Sequence, residues 1–163
     1  MAIRLCLAIL ALAGPTLAGS NLRPSPAGSD ASYDSKSFLV GNRRVALLSG
    51  SVHYFRIQPD DWRDRLVQTR LAGFNTVETP VPWNLHQPTR GEFLFDGAAD
   101  LPRFLDLCHE LKLLVILRVG PYVNAAVTSG GLPLWLGEDP RLLVRSANPK
   151  FIEAVHQYWA KLL

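Results

Sequence analysis

The hydrophobic positions of the chain follow two different periods, which alternate along the sequence. Apolar or alternating runs of strand length occupy residues 45–55, 75–81 and 113–117. Apolar side chains at helical spacing follow each of these runs, over residues 62–71, 101–111 and 151–162. Strands that alternate with helices pair in parallel through right-handed crossovers, so the pattern predicts an α/β fold.

Residues that begin or end helices lie at the borders of the helical segments. Asp60 and Asp61 precede the first helical segment. Asp100 precedes the second, and Asn148 precedes a proline that would open the third. Oxygen atoms of such side chains accept hydrogen bonds from the unpaired N–H groups of a first helical turn. Gly73 is expected just beyond the end of the first helix.

A β-hairpin is predicted before the first βα unit. Residues 38–40 and a strand that begins at Val45 flank a short turn. Before them, residues 19–36 are rich in Ser, Pro and Gly and show no period, which is typical of a flexible lead-in. We therefore expect ordered structure to begin at Ser37 and one domain to occupy residues 37–163.

The N-terminal residues have the composition of a signal peptide. Arg4 gives a positive start, an apolar run follows over residues 5–13, and residues 16–18 offer small side chains to a signal peptidase. The apolar run is too short to span a bilayer. Residues 1–18 are therefore expected to be removed, which predicts a protein exported to the periplasm or the extracellular space and without a membrane anchor after cleavage.

Composition and charge exclude several classes of protein. The 163 residues carry 17 Lys and Arg against 14 Asp and Glu, a net charge of +3, and no basic run indicates a nucleic-acid partner. Two cysteines cannot build a disulfide framework or a metal cluster. No histidine pair has metal-site spacing, and no G-x-S-x-G motif marks a serine hydrolase. We expect no metal and no cofactor, and the oligomeric state stays open.

The length of the chain limits how complete the fold is. After the hairpin the sequence holds three βα units, whereas a complete eight-unit barrel needs about 250 residues. Residues 159–163 contain no Gly, Pro or polar tail that would indicate the end of a domain. The pattern therefore predicts a partial (β/α)8 TIM barrel, made of its first three βα units preceded by a β-hairpin.

Two charged residues and a histidine are predicted at the carboxyl ends of the strands, where parallel α/β folds carry their functional side chains. Glu78 is the one carboxylate that the pattern places within a strand near that end, and Arg118 directly follows the third strand. A guanidinium there should be paired, so we expect Arg118 to contact Glu78 or a carboxylate from elsewhere. The simplest role of such a pair is structural. His53 is expected to donate a structural hydrogen bond beside it.

Aromatic and amide side chains lie in the loops that follow the strands. Trp83, Trp135 and Tyr122 present large rings, which commonly stack on the apolar faces of sugars. Asn84 and Asn124 present amides, which bind hydroxyl groups. The alternative that Trp83 and Trp135 cover the core beneath the loops is equally open.

Five stretches of the sequence form a set that is specific in combination. They are residues 49–57 (SGSVHYFRI), 62–79 (WRDRLVQTRLAGFNTVET), 81–93 (with VPWNLHQP and GEF), 113–125 (LLVILRVGPYVNA) and 130–136 (GGLPLWL). Together they closely resemble the N-terminal third of glycoside hydrolase family 35, the β-galactosidases. The resemblance covers about residues 38–163.

The resemblance implies a retaining (β/α)8 barrel with two catalytic glutamates. The proton donor would follow the fourth strand and the nucleophile the seventh, and both would lie beyond Leu163. No catalytic residue is therefore carried over to this chain. Since glycoside hydrolysis generally requires two facing carboxylates, the resemblance implies that the chain alone is inactive.

The resemblance also implies which residues bind the substrate. Tyr122, Asn124 and Ala125 match the family's galactose-binding pattern after the third strand. Trp83 and Asn84 match its pattern after the second strand. These five residues are the expected substrate-binding residues of the chain, and a β-galactoside is the expected partner.

Two positions depart from the family's pattern. Ala126 stands where the family has a Glu that holds sugar hydroxyls, and Pro80 stands where it often has a Tyr that contacts the sugar. Loss of the carboxylate leaves hydroxyls unpaired at a cost of about 1–3 kcal/mol. The residues leave open whether the pocket takes another sugar or whether the protein has drifted from catalysis.

The resemblance and the leader together predict the function. We expect an exported fragment of a retaining glycoside hydrolase, of the kind that hydrolyses terminal β-galactosides in carbohydrate catabolism. One alternative is a non-catalytic carbohydrate-binding remnant, or pseudoenzyme, that uses the same wall of the pocket. Another is the product of a gene fragment without a stable fold, since uncovered strand edges and helix faces favour aggregation.

Overall fold

The computed structural model describes residues 31–41 and 43–163. Its strands are β1 (Ala31–Tyr33), β2 (Phe38–Val40), β3 (Arg43–Val45), β4 (Ser49–Ser51), β5 (Thr76–Pro80) and β6 (Leu114–Arg118). Its α-helices are α1 (Trp62–Leu71), α2 (Trp83–His86), α3 (Leu101–Glu110) and α4 (Pro149–Leu162). The predicted signal peptide, residues 1–18, lies outside the described residues. Within them, every helix is too short or too polar to cross a bilayer.

Strands β1, β2 and β3 form a small antiparallel sheet. Ala31 lies opposite Val40, and Phe38 lies opposite Val45. The β2–β3 pair corresponds to the hairpin that the sequence predicts. Strand β1 differs from the prediction, because it lies within residues 19–36, for which the sequence predicts a flexible lead-in.

A turn at Asp34 explains why ordered structure begins before Ser37. The Asp34 carboxylate accepts hydrogen bonds from the N–H groups of Lys36 and Ser37, at 2.8 and 2.9 Å, and it also pairs with Arg44 of β3. An aspartate that bonds the backbone two or three residues further on stabilises a turn. This turn joins β1 to β2, so the chain from Ala31 onward is a strand and a turn rather than a flexible lead-in.

The long strand predicted over residues 45–55 is wrong, because the structure divides it. Strand β3 ends at Val45, β4 begins at Ser49, and a 3-10 turn follows. Between the strands, the Asn75 side chain accepts from the N–H of Leu48 and donates to the carbonyl of Ala46. A side-chain amide therefore bonds the backbone here in place of a neighbouring strand.

Strands β4, β5 and β6 form a parallel sheet in that order. Ser51 lies opposite Glu78, and Pro80 lies opposite Arg118. Helix α1 lies between β4 and β5 in the chain, and α3 precedes β6. The fold is thus mixed α/β, as predicted. The three parallel strands form an open sheet in the described chain, and the partial TIM barrel stays a prediction.

One face of the parallel sheet packs under α1 and α3. Val77 of β5 is fully buried there, as are Trp62 and Leu66 of α1 and Phe104 of α3. The rings of Trp62 and Phe104 meet edge to face, with centroids 5.6 Å apart. These contacts bury the N-terminal part of the apolar stripe of α1, whereas Leu71 at its end is exposed, and they bury Phe104 on the stripe of α3.

A second hydrophobic cluster packs α4 against the loops that follow β5 and β6. The rings of Trp83 and Tyr158 stack with centroids 4.9 Å apart, and Trp135 meets Trp83 edge to face at 5.6 Å. The indole N–H of Trp83 donates to the side chain of Gln87, and that of Trp135 donates to the carbonyl of Gln87. Both tryptophans therefore cover the core, which is the alternative that the sequence left open.

The helix boundaries follow the predicted signals at three of the positions. Asp100 and Asn148 each accept a hydrogen bond from a backbone N–H in the first turn of α3 and α4. Gly73 follows α1 with a φ of 94°, a conformation that favours glycine. Asp61 makes no side-chain capping bond, because a 3-10 turn precedes α1 and bonds the backbone instead.

A buried hydrogen bond joins Tyr54, after β4, to His86 at the end of α2. The Tyr54 hydroxyl lies 2.5 Å from Nε2 of His86, and Nδ1 of His86 lies 2.9 Å from the carbonyl oxygen of Leu94. Since a carbonyl only accepts, Nδ1 carries the proton and Nε2 accepts from the tyrosine. Burial lowers the pKa of His86, against a smaller opposite effect of the Leu94 carbonyl, and raises the pKa of Tyr54.

Replacing Leu66 by alanine should lower the free energy of unfolding by about 2–5 kcal/mol, because its fully buried side chain would leave a cavity. Leu71→Ala is the matched control, since it makes the same change in the same helix at a side chain that is 76% exposed. It should change the free energy of unfolding by less than about 0.5 kcal/mol. Urea unfolding followed by circular dichroism measures both. Equal losses would contradict the assigned core face of α1.

Acidification should weaken the fold through His86. Its pKa in the folded chain lies below that of an unfolded histidine, about 6.5, so the unfolded chain binds the proton more readily. Stability is therefore lost as the pH falls below about 6.5 towards the folded-state pKa. Urea unfolding at about pH 7 and about pH 5 should show a smaller loss in His86→Gln, which cannot titrate in this range.

His53→Gln is the control for this pH dependence. Burial also lowers the pKa of His53, but its side chain is only partly buried, whereas His86 has no exposed surface. His53→Gln should therefore change the pH dependence less than His86→Gln does. A pH dependence that is the same in the wild type and in His86→Gln would contradict the role of His86.

Candidate functional site

The parallel register brings three polar side chains together at the carboxyl edge of the sheet. Glu78 of β5 lies between Ser51 of β4 and Arg118 of β6. Nε of Arg118 lies 2.9 Å from Oε1 of Glu78, and the Ser51 hydroxyl donates to Oε2 at 2.7 Å. The predicted contact between Arg118 and Glu78 is confirmed.

Arg118 also links this edge to the loop that follows β6. Its Nη1 atom donates to the carbonyl of Val123 at 3.0 Å. The side chains of Arg118 and Glu78 are 44% and 24% exposed. Since solvent screens such a pair, it contributes on the order of 1 kcal/mol or less to stability. Its main consequence is therefore geometric, because it fixes the start of the loop relative to the strands.

The loop after β6 has an unusual backbone. Asn124, Ala125 and Ala126 follow one another with φ values of 56°, 46° and 50°. This left-handed conformation costs an L-residue roughly 1–2 kcal/mol, and asparagine tolerates it better than alanine does. Strained residues of this kind persist only where their surroundings hold them. Contacts around the three residues must therefore offset the free-energy cost of this conformation.

Some of these contacts come from the far side of the loop and from α2. The N–H groups of Val123 and Asn124 both donate to the carbonyl of Gly130, at 2.8 and 3.2 Å. The side-chain nitrogen of Asn84 donates to the carbonyl of Thr128 at 3.1 Å. The loop is therefore closed on itself and tied to the loop that follows β5.

A further contact comes from the segment that follows β4. Nη2 of Arg56 donates to the carbonyls of Ala125 and Ala126, at 2.6 and 3.0 Å. Both carbonyls belong to left-handed residues. One guanidinium thus bonds two successive peptide groups in the strained part of the loop.

Tyr122 lies at the start of the same loop, with its side chain packed against Gly130 and 38% exposed. A Cβ atom at residue 130 would overlap the Tyr122 ring, so this close approach requires glycine. The Arg145 guanidinium lies 4.2 Å from the centroid of the ring. The ring is therefore fixed in position while part of it stays accessible.

His53 lies at the same edge, among charged side chains. Burial lowers its pKa, the positive charges of Arg56 and Arg118 lower it further, and Glu78 acts in the opposite direction. Its ring stacks on Phe55, with centroids 5.4 Å apart. Within the described residues the imidazole makes no hydrogen bond, so the structural hydrogen bond expected of it is not seen.

The structure gathers four of the five expected substrate-binding residues around one loop. Tyr122, Asn124 and Ala125 lie on that loop, and Asn84 bonds it from α2. Trp83 lies apart from them in the second hydrophobic cluster, without exposed surface. As placed here, its ring offers no face to a ligand and instead supports the loops from below.

Arg56 and Ser51 are site residues that the sequence reasoning did not single out. Both lie in the stretch SGSVHYFRI, at or just after the carboxyl end of β4. This position in the sequence could have identified both residues, because polar side chains that follow parallel strands converge on one edge of the sheet. Among the described residues, no group of three or more His, Cys, Asp or Glu side chains is arranged to hold a metal ion.

The sequence matches the glycosyl hydrolases family 35 over residues 37–163, and the strand-edge site with its ordered loop lies within that match. The chain therefore belongs to glycoside hydrolase family 35, a family of β-galactosidase-like glycoside hydrolases.

Similar proteins from human and from a plant have beta-galactosidase in their names. The chain is 48% identical to human "Beta-galactosidase-1-like protein 3" over 126 residues, and this alignment covers 77% of this chain and 19% of that protein. It is 43% identical over 157 residues to human "Beta-galactosidase", covering 96% of this chain and 23% of that protein. "Beta-galactosidase 17" of Arabidopsis thaliana is 41% identical over 128 residues, covering 78% and 18%. The chain spans about a fifth of the length of these relatives.

The Glu78–Arg118 pair should show a measurable but modest coupling. A double-mutant cycle with Glu78→Gln and Arg118→Gln should give a coupling free energy of about 0.5–1 kcal/mol, because both groups are partly exposed. The control cycle uses Arg63→Gln and Glu110→Gln, a pair in which both side chains are 55% exposed. It should give less than about 0.5 kcal/mol. Urea unfolding measures both cycles, and equal couplings would contradict the view that the sheet-edge pair is better fixed.

Proposed function

We propose that this chain forms one wall of the galactoside pocket of a retaining, β-galactosidase-type glycoside hydrolase. Family membership supports the reaction class. The observation that carries the proposal further is the loop of residues 122–126 at the carboxyl edge of the parallel sheet, in which residues 124–126 are held in a strained left-handed backbone. In parallel α/β folds this is the edge at which ligands bind.

The exposed atoms of the loop suit the hydroxyl groups of a sugar. Asn124 is exposed, and its amide can both donate to and accept from hydroxyls. Tyr122 offers to the sugar only the part of its ring that Gly130 and Arg145 leave uncovered. Asn84 uses its side-chain nitrogen on the loop, which leaves its side-chain oxygen as an acceptor. Ala125 would contribute backbone and a small side chain that lets the sugar approach closely.

The carboxylate at this edge is poorly placed for catalysis. A retaining glycosidase uses two carboxyl groups about 5–5.5 Å apart, one as proton donor and one as nucleophile. Both oxygens of Glu78 already accept hydrogen bonds, one from Arg118 and one from Ser51. We therefore assign Glu78 a structural role. The catalytic pair would come from later strands of a (β/α)8 barrel, so that this chain alone does not catalyse hydrolysis.

The two positions that depart from the family's pattern affect how tightly the wall would bind galactose. Ala126 has no side-chain acceptor for the hydroxyls that a carboxylate would bridge, a difference of about 1–3 kcal/mol. Pro80 is buried beside Arg118 at the end of β5, where a tyrosine would add a ring and a hydroxyl. We expect the galactoside to bind weakly to this wall.

Export of the protein is part of the proposal. Its support is the leader sequence of residues 1–18, with a basic start, a short apolar run and small residues at the cleavage position. The carbohydrate partner follows from the family, and an exported enzyme of this kind would meet extracellular or periplasmic galactosides.

The test is binding and turnover by the purified 163-residue chain. Methyl β-galactoside should shift the amide NMR signals of residues 122–126, with a millimolar dissociation constant, and methyl β-glucoside should bind less well. Asn124→Ala should weaken galactoside binding about tenfold by removing hydrogen bonds to the sugar. Gln68→Ala, a change at an exposed amide of α1, is the control and should leave binding unchanged.

Two further measurements decide the catalytic part. The chain should not hydrolyse 4-nitrophenyl β-galactoside above the background rate, and turnover at an enzymatic rate would overturn the assignment of the catalytic pair to later strands. Ala126→Glu should tighten galactoside binding about tenfold. Equal shifts with both sugars, or none with either, would overturn the galactoside-binding wall.

A further inference from the structure

We infer that Arg56 is a positioning residue, whose guanidinium holds residues 124–126 in the left-handed conformation that presents the loop to the sugar. The inference rests on the proposed function for the ligand, and on the geometry of Arg56 for the mechanism. It assigns a task to a side chain that follows the first parallel strand, far in sequence from the loop that it contacts.

The contact with the loop uses both N–H groups of one nitrogen. Nη2 of Arg56 carries two hydrogens, and the carbonyl oxygens of Ala125 and Ala126 lie 2.6 and 3.0 Å from it. A charged donor makes stronger hydrogen bonds to carbonyls than a neutral donor does. Both acceptors are carbonyl oxygens of left-handed residues. Rotation of either peptide group out of its present orientation would therefore break a charge-assisted hydrogen bond.

The base from which Arg56 acts is rigid. Arg56 ends the 3-10 turn Tyr54–Arg56, and its own N–H donates to the carbonyl of His53. Tyr54, in the same turn, is fully buried and bonded to His86. The Arg56 guanidinium also lies 5.5 Å from the centroid of the Phe55 ring. The hydrophobic core therefore fixes the position from which the guanidinium reaches the loop.

The loop needs such a contact because its sequence does not favour its conformation. Left-handed residues usually occur singly and are usually glycine, whereas here Asn124 is followed by two alanines. Arg118 bonds the carbonyl of Val123, just before the left-handed run. Backbone hydrogen bonds hold Asn124 at its N–H and its carbonyl, which leaves the carbonyls of the two alanines to a side chain. Among the described residues, Arg56 is the side chain that bonds the carbonyls within the run.

The order of the loop in the absence of sugar distinguishes a positioning role of Arg56 from direct binding of the ligand. A residue that positions the loop alters loop order in the absence of sugar, whereas a residue that only binds the sugar does not. Hydrogen exchange of the loop amides reports on loop order directly. The N–H groups of Val123, Asn124 and Val127 are suitable probes because each is hydrogen-bonded within the loop.

The experiment compares four forms of the 163-residue chain: the wild type, Arg56→Ala, Arg56→Lys and the control Arg65→Ala. Arg65 is exposed on α1, and its carboxylate neighbour Asp64 lies 3.8 Å away. Arg56→Ala should speed exchange of the loop amides about tenfold and weaken binding of methyl β-galactoside about tenfold. The amides of β5 should exchange as in the wild type, which shows that the fold is intact. Arg65→Ala should change neither quantity.

Arg56→Lys keeps the charge but loses the planar fork, so it should give intermediate values for both quantities. This variant keeps the test decisive if exchange in β5 shows that Arg56→Ala does not fold. Unchanged loop exchange in the folded Arg56 variants would overturn the inference, and weaker binding with unchanged exchange would make Arg56 a direct ligand instead. Faster loop exchange with unchanged binding would also overturn it, because the contact would then be merely structural.

Failure of the proposed function has a different signature. If the wild-type chain binds neither methyl β-galactoside nor methyl β-glucoside, the galactoside-binding wall is wrong. Loop exchange in Arg56→Ala then decides alone whether Arg56 holds the left-handed run. Faster exchange would support that holding role, and unchanged exchange would overturn it.

Discussion

The register of the three parallel strands is the constraint on which the site depends. Side chains alternate between the two faces of a sheet, so a slip of β5 by one residue would turn Glu78 towards α1 and α3 and bring Val77 to the opposite face. Burial of Val77 beneath those helices opposes the slip, because the core would lose an apolar side chain and a carboxylate would be buried in its place. The hydrophobic core therefore determines that Ser51, Glu78 and Arg118 meet at one edge.

That edge in turn holds a loop that would not keep its shape alone. Arg118 bonds the carbonyl just before the left-handed run of residues 124–126, and Arg56 bonds two carbonyls within it. Beneath the neighbouring loops, the stacked rings of Trp83 and Tyr158 close the second hydrophobic cluster. Hydrogen bonds from well-packed parts of the chain thus offset the conformational strain of the loop, as expected for a binding site on a rigid scaffold.

Local spacing accounts for the features that the sequence predicted well. Asp100 and Asn148 mark helix starts because capping involves residues within one turn. The contact of Glu78 with Arg118 followed from a general property of parallel sheets, since neighbouring strands end at the same edge. Such rules need no knowledge of which distant segments meet.

The features that were missed depend on contacts between distant segments. Asn75 divides the predicted long strand by bonding the backbone of residues 46 and 48. Trp83 is buried because Tyr158 of the last helix packs on it. Arg56 reaches a loop 69 and 70 positions further along the chain. Hydrophobic period and residue type carry no information about such pairs, so the sequence alone could name the edge but not all of its members.

The contact of Arg56 with backbone has a consequence for the departure at Ala126. Because the guanidinium bonds the carbonyl of this residue and not its side chain, a change from Glu to Ala leaves that bond in place. The shape of the loop and its capacity to bind hydroxyls are therefore separable properties. Under the proposed function, an alanine at residue 126 would therefore weaken sugar binding and leave the backbone of the loop in place.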